Sequence, residues 1–229
     1  MNPGSLFVVS TPIGNLDDIT YRAIKILNDV DCILCEDTRI TKRLLNKYNI
    51  NGKMITHNEY NEGKKVDFIS QLLVDGSSIA LVTDAGTPCI SDPGYRLISN
   101  IKKKHPEIKV IAIPGPSASI SSLSISGLPS DCFYFTGFLP KKKGRQKKIK
   151  ELLDFGGSVI IYESPKRILK TLKDLFAILG NRRIFIAREM TKVYEETFYT
   201  DLESVSLDRI SLKEKGEYVI VVAKDGYEI

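Results

Sequence analysis

Short apolar runs alternate with amphipathic segments along almost the whole chain. Residues 6–9 and 79–82 are uninterrupted apolar runs, which are typical of strands covered on both faces of a parallel sheet. Apolar residues recur at helical spacing within residues 16–30 and 66–73, which predicts amphipathic helices between the strands. The repeated alternation predicts an α/β protein.

The pattern changes after the proline-rich turn at residues 114–116. An aromatic run follows at residues 133–135, and a long apolar run at residues 218–222 predicts a late buried strand. We therefore predict two α/β domains, residues 1–115 and 116–229. The N-terminal sheet is expected to be mostly parallel and the C-terminal sheet mixed.

The composition is that of an ordinary soluble globular protein. Of the 229 residues, 42% are hydrophobic and 27% are charged. No run approaches the roughly 18–20 apolar residues that a membrane-spanning helix needs, and the N-terminus lacks the basic start of a secretory signal. We expect a cytoplasmic protein without a membrane partner.

Two of the four cysteines, Cys32 and Cys35, have the C-x-x-C spacing of redox and zinc motifs. A zinc site needs further ligands at suitable spacing, and the other cysteines and both histidines stand alone in the sequence. The pair also lies within a buried-strand pattern, where thiols pack as small apolar groups. We predict neither a metal site nor a disulfide framework.

The net charge of +5 is concentrated in one place. Seven basic residues fall within residues 141–150, called here the basic segment, and the rest of the chain is slightly acidic. The segment is predicted to be a loop that leads into a helix reaching Leu153. A concentrated basic patch favours a polyanionic partner, although a solvated lysine-rich helix start has the same sequence pattern.

Three loops bearing glycine or proline follow predicted strands, at residues 11–15, 84–88 and 114–118. Loops at the carboxyl ends of parallel strands line the ligand crevice of an open sheet. Glycine there allows close approach of backbone to a ligand, although each loop could also be only a turn. No dinucleotide fingerprint or P-loop follows any predicted strand, so the pattern predicts a crevice for another ligand.

These loops, with other segments in the same order, resemble the bacterial ribosomal RNA small subunit methyltransferase I family of the tetrapyrrole methylase superfamily. The matching segments are residues 10–16 (STPIGNL), 36–39 (EDTR), 84–94 (DAGTPCISDPG), 114–118 (PGPSA), 137–140 (GFLP), 162–165 (YESP) and 187–189 (ARE). The resemblance implies a homodimer of two-domain chains, with S-adenosylmethionine in a cleft between the domains. It also implies 2′-O-methylation of a cytidine in the decoding region of 16S ribosomal RNA, within the small ribosomal subunit.

The chain departs from the family pattern at three places. Cys89 stands where the family usually has glycine, and Lys166 where it often has histidine. The sequence ends shortly after the predicted strand at residues 218–222, where many members carry an additional C-terminal helical segment. The last difference concerns the extent of RNA contact more than the cofactor site.

The resemblance also implies individual cofactor contacts, whereas the RNA contacts are predicted from the positive charge of the residues. The predicted cofactor contacts are Pro12, Asp84, Gly86, Thr87, Pro88, Ile90, Ser117, Ala118, Tyr162, Met190 and Glu217. The predicted RNA contacts are Arg39, Lys141, Lys142, Lys143, Arg145, Lys147 and Lys148, because lysine and arginine neutralise phosphates. Exposed aromatic residues next to the basic segment could stack on splayed bases, but the alternating Phe133 and Phe135 are expected in the core.

Methyl transfer to a ribose hydroxyl needs a group that takes the proton. The candidates are Glu36 and Asp37 after the second strand, and His57 and Glu59 after the third. Either of the first two could instead cap the following helix or pair with Arg39, and His57 could be an ordinary loop residue.

Two other functions are compatible with this sequence. One is a tetrapyrrole methyltransferase, which needs a cleft for a large carboxylated ring and has no use for a concentrated lysine segment. The other is a non-catalytic RNA-binding or ribosome-assembly protein that retains the fold. Binding of S-adenosylmethionine separates this last function from both enzymes.

Overall fold

The computed structural model describes residues 3–60 and 62–227. The chain separates into two compact units between Ser117 and Ala118. The boundary predicted from the sequence lies two residues earlier.

The first unit contains a five-stranded parallel sheet with the strand order β3-β2-β4-β1-β5. Its strands are β1 (Ser5–Val9), β2 (Cys32–Cys35), β3 (Met54–Thr56), β4 (Ile79–Leu81) and β5 (Lys109–Ile113). Its helices are α1 (Tyr21–Asp29), α2 (Thr38–Lys47), α3 (Glu62–Val74) and α4 (Tyr95–Lys104). The predicted parallel sheet is confirmed.

The sequence of strand β2 is apolar throughout because both faces of the strand are buried. Cys32 and Leu34 pack in a core with residues of α3 and α4, whereas Ile33 and Cys35 pack in a second core with residues of α1 and α2. Successive side chains of a strand point to opposite faces, and here helices cover both. The two cysteines therefore face opposite sides of the sheet and cannot share a metal ion, and burial raises the pKa of both thiols.

One predicted helix in the first unit is divided. Residues 16–30 form a single 3-10 turn (Leu16–Asp18) and then α1. The break occurs because Thr20 caps α1, where its Oγ1 accepts a hydrogen bond from the backbone N–H of Ala23 at 3.1 Å. The apolar spacing continues through the cap and does not reveal it.

The second unit contains a mixed sheet with the strand order β6-β7-β10-β8-β9. Its strands are β6 (Phe133–Phe138), β7 (Ser158–Glu163), β8 (Arg183–Arg188), β9 (Glu196–Asp201) and β10 (Tyr218–Val222). Its helices are α5 (Ala118–Ile125), α6 (Arg145–Lys150), α7 (Ile168–Leu179) and α8 (Leu202–Ser206). Only β6 and β7 pair in parallel, so the predicted mixed sheet is confirmed.

The core of the second unit lies between this sheet and α6, α7 and α8. Helix α5 contacts β7, β8 and β10 through the small buried side chains of Ser119 and Ser122 and through Leu123. Helix α6 is shorter than predicted, and α8 was not predicted because only Leu202 and Val205 are buried in it. In the described parts of the chain, no helix is long and apolar enough to cross a membrane.

Candidate functional site

The three predicted loops of the first unit meet at the carboxyl edge of its sheet. Thr11 and Gly86 exchange two backbone hydrogen bonds, of 2.9 and 3.1 Å. Thr87 Oγ1 donates to the carbonyl of Pro116 at 3.1 Å and lies 3.0 Å from Ser10 Oγ. One hydrogen-bonded group therefore connects all three loops.

The loop after β4 holds several residues in the left-handed region of backbone conformation. Gly86 has a φ of 84°, and the non-glycine residues Cys89 and Ser91 have φ values of 71° and 65°. Such conformations cost energy in side-chain-bearing residues and cluster at functional sites. They flank Ile90, whose side chain is 45% exposed. The left-handed φ of Cys89 also gives a physical reason for the glycine usual in the resembled family.

Carboxylates gather at the same edge. Glu36 follows β2 and accepts a hydrogen bond from Thr83 Oγ1 at 3.3 Å, while Asp84 accepts one from the backbone N–H of Asp37 at 3.0 Å. Burial raises the pKa of both Glu36 and Asp84. Burial, with the nearby charge of Glu36, also raises the pKa of Asp92 to about 7.

Asp92 was not singled out from the sequence. It precedes Pro93 and Gly94, so the local pattern is that of a turn aspartate. Its surroundings include Glu36 and Thr83, which lie just after the ends of β2 and β4. The only available signal was its place within the matching segment of residues 84–94.

The raised pKa of Asp92 predicts a pH-dependent gain in stability for Asp92→Asn. An unfolded aspartate ionises near 3.8, and this one ionises near 7 when folded. Between those values the folded state holds a proton that the unfolded state lacks, so stability falls as the pH rises. Asp92→Asn should therefore melt at a higher temperature than the parent at pH 8, with the difference vanishing near pH 4. Asp29→Asn, at an exposed position, is the control. The same pH-dependent change in melting temperature in that variant would contradict the raised pKa of Asp92.

The four proton-acceptor candidates lie in different environments. Asp37 caps α2, accepts from the backbone N–H of Arg39 at 2.8 Å and pairs with its guanidinium. Those hydrogen bonds lower the pKa of Asp37 to about 2, which makes it a weak base. His57 is 1% exposed, and its backbone N–H donates to Cys35, whereas Glu59 is exposed. Glu36 alone combines a half-buried position with a raised pKa.

The remaining first-unit candidates lie around the joined loops. Pro12 and Pro88 are buried, and Ser117 is half-buried after the loop that follows β5. Their side chains therefore shape this edge rather than project from it. Ile90 is the predicted cofactor contact there with an exposed apolar side chain.

Three second-unit candidates are connected through α5. Ala118 begins this helix, and the backbone N–H of Ser119 donates to Tyr162 Oη at 3.1 Å. One turn later, Ser122 Oγ lies 2.9 Å from Met190 Sδ. The link through α5 between Tyr162 on β7 and Met190 after β8 could not be predicted from the sequence.

Glu217 belongs to a separate cluster of charges. Its carboxylate accepts from Lys192 Nζ at 2.9 Å, and its backbone N–H donates to Glu189 Oε1 at 2.8 Å. Lys192 also donates to Glu189 at 2.9 Å. The exposed Glu217 is thus already ion-paired within the second unit.

The predicted RNA contacts divide by exposure. Lys141, Lys142, Lys143 and Lys147 are exposed, and so is Arg39 of the first unit. Lys148 is half-buried, with its Nζ 2.8 Å from Tyr134 Oη and 5.0 Å from the centre of that ring. The three consecutive lysines are the most accessible part of the basic segment.

The structure contradicts the predicted RNA contact at Arg145. This residue is 5% exposed, and its Nε donates to Asp174 at 2.8 Å. Its Nη2 donates to Thr171 Oγ1 at 2.7 Å. A guanidinium buried among these partners has no free face for a phosphate. Its role is to hold α6 against α7.

No metal centre is found among residues 3–60 and 62–227, since no three of their histidine, cysteine, aspartate and glutamate side chains are grouped to hold an ion. The acidic edge of the first unit is instead joined by hydroxyl and backbone donors. The carboxylates at this edge therefore lie beside apolar side chains and backbone groups rather than around a metal ion.

Comparison with known proteins matches residues 5–206 to the family model described as Tetrapyrrole (Corrin/Porphyrin) Methylases. The chain is 44% identical to the ribosomal RNA small subunit methyltransferase I of Thermotoga maritima, over 96% of this chain and 98% of that one. It is also 44% identical to the protein of the same name from Halalkalibacterium halodurans, over 99% of this chain and 78% of that one.

Solved structures share the fold at low sequence identity. A diphthine synthase matches with a TM-score of 0.74 at 14% identity, covering 96% of this chain and 90% of that one. A uroporphyrin-III C-methyltransferase from Thermus thermophilus, complexed with S-adenyl homocysteine, matches with a TM-score of 0.66 at 14% identity, covering 95% and 97%. These likenesses concern the fold alone.

Proposed function

Because this chain belongs to the ribosomal RNA small subunit methyltransferase I family of the tetrapyrrole methylases, we propose that it methylates 16S ribosomal RNA in the small subunit. The methyl donor is S-adenosylmethionine, and the acceptor is the 2′-hydroxyl of a cytidine in the decoding region. Two further parts of the proposal, a homodimer and a cytoplasmic location, rest on the family membership alone.

The observation that carries the proposal is the joining of three loops at one sheet edge through Thr11, Gly86 and Thr87. A methyl donor with an amino-acid end and an adenine end needs polar groups beside an apolar surface. The edge offers the carboxylate of Asp84 and the exposed side chain of Ile90. These groups fit the chemistry of the cofactor, which supplies an activated methyl group when bound.

From the second unit, the proposal includes Ala118, Tyr162, Met190 and Glu217. Tyr162 and Met190 are held in place by α5 through Ser119 and Ser122. A tyrosine ring and a thioether are apolar, polarisable groups suited to a sulfonium compound or an adenine ring. Glu217 is already paired with Lys192, so it would present a neutralised ion pair to the cofactor rather than a free charge.

The proton of the ribose hydroxyl goes to Glu36 in this proposal. A carboxylate is a better base when its pKa is raised toward neutral pH, and burial raises the pKa of Glu36. Thr83 Oγ1 holds one of its carboxylate oxygens at 3.3 Å, which orients the group. The paired Asp37 is a positioning residue here, since its backbone N–H holds Asp84.

The test is methyl incorporation from labelled S-adenosylmethionine into small subunits from a strain without the protein, compared with naked ribosomal RNA. Methylation of one cytidine at the 2′-oxygen, which makes that linkage resistant to alkali, supports the proposal. Methylation of a base would contradict the acceptor. Methylation of a tetrapyrrole but not RNA would favour the tetrapyrrole methyltransferase, and cofactor binding without any transfer would favour a non-catalytic protein.

Substitution of Lys141, Lys142 and Lys143 by alanine should weaken RNA binding for all sequences alike. Exposed lysines bind phosphates by releasing counterions, so each lost contact should reduce the log–log salt slope by roughly 0.7–0.9. Binding measured by fluorescence anisotropy at several salt concentrations gives both the affinity and the slope. Affinity for S-adenosylmethionine should change little.

The chain supplies a matched control in Lys102, Lys103 and Lys104, three consecutive exposed lysines at the end of α4. Their replacement by alanine removes the same charge from another surface and should leave the slope close to that of the parent. Equal losses from both triple variants would mean that only the net charge matters. Unchanged RNA binding after replacing residues 141–143 would show that the RNA contacts lie on another surface.

A further inference from the structure

Strand β6 is an edge strand that carries exposed aromatic side chains. The exposure of Phe133 is contrary to the expectation of a core position, whereas Phe135 is half-buried. Phe133 and Tyr134 lie at its start, and Phe138 is its last residue. Phe138 is 56% exposed and stands three residues before Lys141. An exposed aromatic ring therefore lies next to exposed positive charge along the chain.

A β-bulge turns Phe138 toward its neighbour on β7. The register between β6 and β7 shifts between Phe135 and Gly137, and Gly137 has a φ of 64°. In a regular strand, Phe135 and Phe138 would point to opposite faces. With the bulge, both rings contact Tyr162, at centroid distances of 4.9 and 5.8 Å. Bulges commonly redirect a side chain beside a functional site.

The guanidinium of Arg167 connects the ends of β6 and β7, next to Phe138 and Tyr162. Arg167 Nη2 donates to the carbonyl of Leu139 at 2.6 Å and to Glu163 Oε2 at 3.1 Å. Leu139 follows Phe138, and Glu163 follows Tyr162, so Arg167 ties together the residues next to both rings. The pair of rings is therefore held before any ligand arrives, which reduces the entropic cost of binding.

We infer that Phe138, supported by Tyr162, is a stacking platform for an unpaired base of the RNA substrate. Lys141, Lys142 and Lys143 then bind phosphates of the same strand. Stacking needs the face of a base, which single-stranded RNA presents and a double helix conceals. The inference deepens and rests on the proposed function, because it names unpaired nucleotides as the substrate class.

The test uses a single-stranded oligoribonucleotide that carries 2-aminopurine, whose fluorescence is quenched on stacking. The wild-type protein should quench it and should prefer the single strand to the same sequence in a duplex. Phe138→Ala should abolish the quenching and weaken binding by roughly 5- to 150-fold, the range for one stacked base. Phe138→Trp should restore both, because it retains an aromatic face.

Phe133→Ala is the matched control, since it removes the same side chain at the other end of β6. Melting temperature and S-adenosylmethionine affinity are measured for every variant. Equal quenching and affinity in Phe138→Ala and the wild type overturn the platform, even if methyl transfer to RNA is intact. A loss of cofactor affinity equal to the loss of RNA affinity also overturns it. Quenching that depends on Phe138, in a protein that transfers no methyl group, supports the platform and overturns the proposed function.

Discussion

Replacing Glu163 by alanine is expected to lower the stability of the second unit by about 3–5 kcal/mol, the usual cost of removing one partner of a buried ion pair. Glu163 is 1% exposed. Its carboxylate accepts from the backbone N–H of Ser164 at 2.7 Å, from Thr171 Oγ1 at 2.6 Å and from Arg167 at 3.1 Å. Alanine removes the acceptor that these three donors share, and hydrogen exchange of the β7 and β10 amides in urea measures the loss of stability.

Glu163→Gln separates charge from shape in this experiment. The amide keeps the volume and one acceptor oxygen, so we expect a smaller loss of about 1–3 kcal/mol, the range for buried groups left unsatisfied. Alanine at the exposed Glu214 should leave the exchange rates unchanged. If the β7 amides of Glu163→Ala exchange as slowly as those of the parent protein, the hydrogen bonds to Glu163 do not stabilise the second unit.

Gly86→Leu is expected to abolish measurable binding of S-adenosylmethionine. A leucine at a φ of 84° is strained by roughly 1–2 kcal/mol. Its side chain would extend from a Cβ position that lies 3.4 Å from Ile13 Cγ2 and 3.8 Å from the carbonyl of Pro116. Branched carbons beyond Cβ would separate the joined loops, and titration calorimetry would detect the lost affinity.

Gly86→Ala is the control for backbone strain. It has the same unfavourable φ, but its methyl group meets only ordinary van der Waals contacts. We therefore expect alanine to lower the melting temperature while retaining most of the cofactor affinity. A folded Gly86→Leu protein with parental affinity would place the cofactor away from this loop.

The sequence predicted those parts of the molecule that depend on regular geometry. The apolar runs of β1 and β4 identified central strands, because helices cover both faces of the sheet. The meeting of the loops around Thr11 and Gly86 followed from one rule, that parallel strands end at the same edge. Both predictions need only periodicity and strand direction.

The remaining features depend on partners that are distant in the sequence. Arg145 has the local sequence of an exposed residue among lysines, and its burial is decided by Thr171 and Asp174 on α7. The direction of Phe138 depends on a bulge defined against β7. The raised pKa of Asp92 depends chiefly on the burial that the fold imposes. None of these relations has a periodic signature.

The pairing of Thr11 with Gly86 also limits how this edge can recognise a molecule. Each residue donates its backbone N–H to the carbonyl of the other, so both N–H groups are already occupied. In the proposed cofactor site, Gly86 therefore contributes through its missing side chain rather than through its main-chain N–H. Within that proposed site, recognition at Gly86 would be steric, and an analogue of the cofactor with added bulk at this point would be rejected by its shape.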